Sequence, residues 1–381
     1  MKKILYVTTI SGFLPQFELR DVRIVEEMGY EVHYASNFNN PIYSFDKDEL
    51  EKQGIVLHHI DVEKSPVHLR HNYKAFRQLK KIIDEENVDV VHCHNPMGGV
   101  IGRLSSVLSR KKPYVIYTAH GFHFYKGASA LNWILFYPVE RFLAGFTNEI
   151  ITINKEDYLR ASKFRLRKRG SVTQIHGVGV DTERFRAIPG AYHEKRIELG
   201  IPENAFHIVT AAELNDNKNQ VVILEALAKL NDSDIYYSIC GKGPREKMLS
   251  ELIKEFHLED RVKLLGYRTD MEYVLQSADA FAFPSIREGL GIAAVEALFC
   301  EVPLIASDNR GTREYAFDGL NSIVCKENDM TSFAEAIERL KGNSAYRYML
   351  KANSSRSVGQ FSAEETEKVM RLVYARANQG S

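Results

Sequence analysis

Short apolar runs alternate with longer segments of mixed apolar and polar positions along the whole chain. The runs Lys3–Thr9, Glu31–Ala35, Val56–Asp61, Val88–His94, Tyr114–Thr118 and Glu149–Asn154 predict strands. They are apolar throughout rather than alternating, as expected of parallel strands covered on both faces. Helical spacing between them predicts helices over Phe17–Gly29, Tyr73–Glu86, Gly99–Ser109 and Leu131–Gly145. After a polar stretch at Pro189–Asn204 the pattern restarts. Strands are predicted at His207–Ala212, Tyr236–Cys240, Val262–Gly266, Ala280–Pro284, Pro303–Ala306 and Ser322–Val324, with a helix at Gln220–Leu230.

Two successive βα series predict an α/β protein of two Rossmann-like, doubly wound domains facing each other across a cleft. The expected division is 1–186, 187–360, and a C-terminal helix over 361–381 packing back on the first domain. Ligands of such sheets bind beyond the C-terminal strand ends. The glycine turns at Gly12, Gly121, Gly241 and Gly289 fall at those places.

Length agrees, since 381 residues suit two domains of about 150–200 residues each. Composition, 44% hydrophobic and 26% charged, is that of a globular protein rather than a disordered one. Lysines and arginines balance acidic residues at 50 each, yet residues 101–171 hold thirteen Lys/Arg against four Asp/Glu. Arg160, Lys163, Arg165, Arg167, Lys168 and Arg169 are the densest part. Such a patch fits either an anionic partner, such as a membrane surface or lipid phosphate, or a solvated helix face. The aromatic run Leu131–Pro138, with Trp133, precedes it and reads as a membrane contact or a core helix. The four cysteines lie far apart without C-x-x-C spacing, which predicts reduced, buried thiols. The N-terminal apolar run breaks at Ser11-Gly12 and reads as a first strand rather than a signal peptide. No apolar stretch reaches the roughly 18–20 residues that span a bilayer. The expected location is cytoplasmic, peripheral on the inner membrane face, with no nucleic-acid partner.

The sharpest chemical signal is Glu288-Gly289-Leu290-Gly291-Ile292-Ala293-Ala294-Val295-Glu296, following the strand Phe281–Ser285. Its glycines allow close backbone approach, and a helix start offers free N–H groups and a positive dipole end to a diphosphate. Glu296 stands alone in an apolar helix, where an unpaired buried carboxylate is costly. It lies roughly 12 Å from Glu288 along a helix, a spacing suited to two ends of one extended ligand. There is no G-x-x-x-x-G-K-[S/T] loop and no G-x-G-x-x-G opening the first helix. His92-Cys93-His94 lacks a completing ligand, and Asp46-Lys47-Asp48 and Asp232-Ser233-Asp234 sit in turn-like contexts. Neither a catalytic metal nor a cofactor is expected.

The E-x7-E run with its strand and apolar helix resembles the signature of retaining GT-B glycosyltransferases of family four. The resemblance implies Glu288 near the transferred sugar, the amides of Gly291 and Ile292 on the diphosphate, and Glu296 on ribose hydroxyls. Gly289 and Leu290 complete that loop. Ala211–Lys218 is similar in place and spacing to the family's G-R-L-x-x-x-K loop, which implies Lys218 on the donor diphosphate. Glu213 stands where many members carry a phosphate-binding Arg. Thr118-Ala119-His120-Gly121-Phe122-His123 implies His120 facing the donor sugar, with His123 a weaker candidate. Gly12 matches the N-terminal glycine loop. Leu265–Asp270, with Tyr267 and Arg268, resembles the base-recognition loop, and Gly241-Lys242-Gly243-Pro244 matches as a turn.

His92–Pro96, Tyr117–Gly127 and Gly177–Thr182 are similar to EpsD-type enzymes of exopolysaccharide and capsule gene clusters. That likeness implies transfer from a UDP-sugar, a UDP-N-acetylhexosamine, to a polyprenyl-diphosphate-linked sugar. Its first competitor is an epimerase or hydrolase of UDP-sugars on the same plan. Its second is a catalytically silent UDP-sugar-binding protein.

Overall fold

Strands β1 (Lys2–Val7), β2 (Tyr30–Ser36), β3 (Val56–His59), β4 (Val90–His94), β5 (Tyr114–Ala119), β6 (Glu149–Thr152) and β7 (Ser171–Gln174) form one parallel sheet. Its order is β3-β2-β1-β4-β5-β6-β7. A second parallel sheet holds β8 (Phe206–Ala211), β9 (Ile235–Cys240), β10 (Val262–Gly266), β11 (Ala280–Phe283), β12 (Leu304–Ser307) and β13 (Ser322–Cys325), in the order β10-β9-β8-β11-β12-β13. The computed structural model describes residues 1–39, 45–167 and 169–380. The chain divides into two compact units, Met1–Val178 with Glu364–Ser381, and Gly179–Ala363. The sequence reading placed the first division after residue 186; it lies after Val178, between two glycines of positive φ, Gly177 (76°) and Gly179 (77°).

In each sheet the connections reverse direction beside the first strand, between β1 and β4 and between β8 and β11. Crevices for ligands open at such points. β1 pairs with both neighbours, Leu5 lying opposite His33 and Val91. In the first unit Leu5, Val7, Val91, Val115, Tyr117 and Ile150 of the sheet pack against Leu79, Ile83 and Ile101 of the covering helices. The second core is built the same way, from Ile208, Tyr237, Ile239, Ala282 and Ile305 under Leu224, Leu227, Phe333 and Ile337.

Several elements depart from the pattern reading. The first helix starts early, as a π-type turn over Leu14–Glu18 that runs into Leu19–Glu27. Pro15 sits in its first turn, where a missing N–H costs nothing. The polar stretch after Pro189 contains a helix, Ala191–Leu199, bracketed by left-handed Gly190 and Gly200. Its inward anchor is Arg196, 2% exposed, bonded to Asp279 at 2.5 Å and to the carbonyls of Ser277, Glu203 and Ala205. An arginine anchor leaves no apolar period to read. Strand β7, Ser-Val-Thr-Gln, was also invisible as an apolar run. It is an edge strand whose Ser171 and Thr173 hydroxyls donate to the buried Glu149 carboxylate.

The C-terminal helix Ala363–Gly380 lies along the first unit from its second residue on. Arg376 reaches Glu149 at 3.0 Å, and the Tyr374 hydroxyl lies 2.9 Å from His92 Nδ1 and 2.8 Å from Asp21.

Candidate functional site

At the reversal point of the second sheet, the loops after β8 and β11 meet. Ile286 N–H donates to the Asn217 carbonyl at 2.8 Å, and Asn217 Nδ2 donates to the Arg287 carbonyl at 2.9 Å. This stitching brings Lys218 to Glu288, with Nζ 2.5 Å from Oε1. Both side chains are largely sheltered, exposing 21% and 10%. The ammonium also lies 5.6 Å from the centre of the Phe283 ring. Arg310 Nε donates to the Glu288 carbonyl at 3.2 Å.

The next turn ends at Gly291, whose φ of 92° and ψ of 66° favour glycine, and the helix Ile292–Phe299 begins there. A Cβ on Gly291 would lie 2.6 Å from the Phe283 ring and 2.9 Å from the Tyr315 hydroxyl. Among the described residues no side chain caps that helix start, so its first amides are open to an anionic ligand. Gly289 and buried Leu290 carry the chain from Glu288 to this point. Gly241, after β9, has a φ of 144°, and a Cβ there would collide with the Ala212 carbonyl oxygen.

Glu296 faces partly to solvent on that helix, and among the described residues no hydrogen bond reaches its carboxylate. Burial pushes its carboxyl up to about 7, while the Arg184 guanidinium works against the rise. Arg184 is a residue sequence reasoning missed. It bonds Glu272 at 2.7 Å and the Thr269 carbonyl at 2.7 Å, tying the segment after β10 to the neighbourhood of Glu296. Nothing in the sequence links positions so far apart. Arg268 is occupied by Asp270, at 2.6 Å, and by Glu198, at 3.0 Å, so its side chain is committed within the protein. The Arg268 bond, helped by one from Lys195, holds the Asp270 carboxyl well below the usual range. Tyr267 is 68% exposed beside it. Glu213 is exposed.

In the first unit, β4 ends at His94 and β5 leads into His120. His94 Nδ1 lies 3.3 Å from His120 Nε2 and 3.4 Å from Glu18 Oε1. Burial pushes His120 down to about 4, pushes His94 well below its ordinary value, and raises the Glu18 carboxyl well above its own. Burial thus disfavours charge on all three side chains. Ligating atoms of Glu18, His94 and His120 lie within 4.8 Å of one another, the grouping found among the described residues that could hold a metal ion. Neighbouring His92 is pushed down to about 3 and bonds Thr118 Oγ1 at 2.8 Å. A cavity of about 20 Å³ opens between Glu18, Asp21, Thr118, His120 and Thr366. The sequence singled out His120 but missed Glu18, which lies inside the early helical turn. Gly12 is buried in the turn after β1, its carbonyl accepting from Gln16 N–H at 3.3 Å.

The basic cluster is not one helix face. Arg160 ends the helix Lys155–Ala161, paired with Glu156 at 2.7 Å and lying 4.5 Å over the Trp133 ring. Trp133 itself packs inward on Phe124 and Tyr137. Lys163 and Arg165 are exposed on the following loop, whereas Arg167 donates to the Pro113 carbonyl. Lys168 lies outside the described residues.

Two family models match the chain in succession, glycosyl transferase 4-like over residues 3–154 and glycosyl transferases group 1 over residues 192–357. The glycosyltransferase EpsD of Bacillus subtilis (strain 168) is 38% identical over 378 residues, 98% of this chain and 96% of its own. The UDP-Gal:alpha-D-GlcNAc-diphosphoundecaprenol alpha-1,3-galactosyltransferase of Escherichia coli is 27% identical, covering 76% of this chain and 75% of its own. The fold is shared with Anabaena HepE, solved in complex with UDP-glucose, at a TM-score of 0.78 and 20% identity over 99% of this chain and 100% of that one. With a relative this similar along nearly its whole length, the chain belongs to the GT-B glycosyltransferases, as a relative of EpsD.

Proposed function

We propose that this glycosyltransferase moves an N-acetylhexosamine, with retention, from its UDP-sugar to a hydroxyl of a polyprenyl-diphosphate-linked sugar in exopolysaccharide or capsule assembly. The observation that carries the donor half is the Lys218–Glu288 pair beside the uncapped, glycine-opened helix start at Gly291. One cation and a row of amides there suit a diphosphate.

In this reading the acceptor oxygen attacks the anomeric carbon on the face the leaving group departs from. The bond from that carbon to the β-phosphate oxygen breaks, and the acceptor proton passes to that oxygen. Lys218 and the amides of Gly291 and Ile292 stabilise the departing diphosphate. Glu288 orients the sugar and Glu296 accepts from ribose hydroxyls. His120, neutral at its lowered value, donates to the sugar. Main-chain groups near Tyr267 and Arg268 read the base, in keeping with the committed Arg268 side chain. Gly12 and Gly241 serve as close-approach turns.

The acceptor half rests on similarity to the E. coli enzyme, which by its name acts on a diphosphoundecaprenol-linked sugar. It carries with it a peripheral place at the inner membrane face, served by the basic cluster. Among the described residues no helix is long and apolar enough to cross a membrane. We further propose metal-independent transfer, since the contacts of His94 with His120 at 3.3 Å and with Glu18 at 3.4 Å can be made by the side chains themselves.

The test is UDP release from a panel of UDP-sugars, with and without a lipid-linked sugar acceptor, in buffer and in EDTA. Acceptor-dependent release from one donor, unchanged by EDTA, is expected. Release without acceptor would replace the reading with an epimerase or hydrolase, and loss in EDTA would make the Glu18–His94–His120 grouping a metal site.

A further inference from the structure

Two histidines at neighbouring strand ends share one hydrogen bond. His94 closes β4 and lies opposite Thr118 of β5, so the register sets it beside the turn that carries His120. His94 Nδ1 is 3.3 Å from His120 Nε2. The buried His94 ring packs against Tyr6, stacked at 6.2 Å, Phe13, tilted at 5.5 Å, and His92, tilted at 4.1 Å. Phe13 also meets the His120 ring edge-on at 5.1 Å. These contacts hold the two imidazoles in one mutual orientation.

Burial disfavours charge on both rings, so each carries one ring proton. A bond between two such rings needs one N–H and one bare nitrogen, and it decides where each proton sits. Two arrangements are open. In one, His94 Nδ1–H donates and His120 Nε2 accepts. In the other, His120 Nε2–H donates to a bare His94 Nδ1, and His94 carries its own proton on Nε2. His94 Nε2 is buried, and among the described residues nothing accepts from it. A buried N–H without an acceptor forfeits its bond to water and gains none in return, and orphaned donors are rarer than under-satisfied acceptors. Glu18 Oε1 lies 3.4 Å from the same His94 Nδ1, so a proton there also sets a donor rather than a second lone pair against the carboxyl oxygen. The first arrangement is favoured on both counts. It leaves the His120 proton on Nδ1, an atom that makes no hydrogen bond among the described residues.

We propose that His94 is a positioning residue that locks His120 in the Nδ1–H tautomer, so that the contact with the donor sugar is a hydrogen bond given by His120 Nδ1 to a sugar oxygen. The inference deepens the reading of His120 as a donor to the sugar and rests on it for its purpose. His94 itself touches no substrate in this scheme.

The full chain carrying isotope-labelled histidine is studied by solid-state NMR, which reads which ring nitrogen is protonated. The difference from His120→Asn picks out the His120 signals. The wild type should show His120 protonated on Nδ1 and bare on Nε2. His94→Phe keeps a ring in the same packing but removes the donor. It should show both tautomers of His120 and a kcat/KM for the UDP-sugar lower by about tenfold, the worth of one hydrogen bond. His94→Asn, whose amide N–H can stand where Nδ1–H stood, should restore the Nδ1–H tautomer and most of the turnover. Thermal unfolding checks that both variants fold. A wild-type His120 protonated on Nε2 overturns the proposal whatever the variants do. So does a folded His94→Phe protein whose tautomer and kcat/KM are both unchanged. Wild-type ring signals that move on adding EDTA overturn it as well, since a bound metal would then hold the bare nitrogens. The tautomer is read without substrate, so a chain that turns over no UDP-sugar loses the sugar contact and keeps the lock.

Discussion

Replacing Lys218 by methionine separates the structural from the chemical use of its charge. Lys218 Nζ lies 2.5 Å from Glu288 Oε1, with 21% and 10% of the two side chains exposed. Breaking an exposed pair costs about 0–1 kcal/mol and breaking a fully buried one about 3–5 kcal/mol. This pair lies between the limits, so the lone Glu288 carboxylate should cost the second unit about 2 kcal/mol. For a domain of this size that corresponds to roughly 4–8 °C in Tm. Losing the cation at a departing diphosphate should lower kcat by about 10²–10³. Adding Glu288→Gln removes the uncompensated charge, so the double variant should regain most of the Tm and none of the turnover. Thermal unfolding and UDP release measure the two effects on the same samples. A Lys218→Met protein that keeps kcat within about twofold of the wild type would refute the diphosphate role. A double variant no more stable than the single one would refute the charge argument.

Four further outcomes are expected. Gly291→Ala should lower Tm and raise the donor KM, because the left-handed backbone costs about 1–2 kcal/mol and the new methyl meets Phe283 and Tyr315; a full set of wild-type values would show that the turn is permissive. Donor KM should fall as pH rises through about 7, where Glu296 ionises and its carboxylate gains acceptors for ribose hydroxyls, and Glu296→Gln should flatten that profile. The same raised carboxyl value holds a proton longer in the folded state, so its contribution to stability, present below about 4.5, is lost as pH rises through about 7. Cys93, Cys240, Cys300 and Cys325 are buried with thiols pushed up to about 12, so a thiol reagent should titrate none in the native protein and four in guanidinium.

Apolar runs and their period determined the two parallel sheets, because strands covered on both faces must be apolar along their length. Most strand ends lie within two residues of the pattern reading. Glycine spacing and the lone carboxylate of Glu296 were legible too, since a turn of positive φ and a charge in an apolar helix leave marks on the chain itself. Where an element is held by one long polar side chain, the mark is absent. The Arg196-anchored helix and edge strand β7 were silent for that reason. Tertiary structure alone decided which charges meet: Lys218 with Glu288, Arg184 beside Glu296, Glu18 under His94 and His120. Those partners lie tens to more than a hundred residues apart, and only the reversal points of the sheets bring their loops together. The two faces of the Ala130–Ala144 helix carry the same kind of residue, so periodicity could not tell core from surface. The packing of Trp133 and Tyr137 against Phe124 turned one face inward and left Ile134 and Phe142 outside.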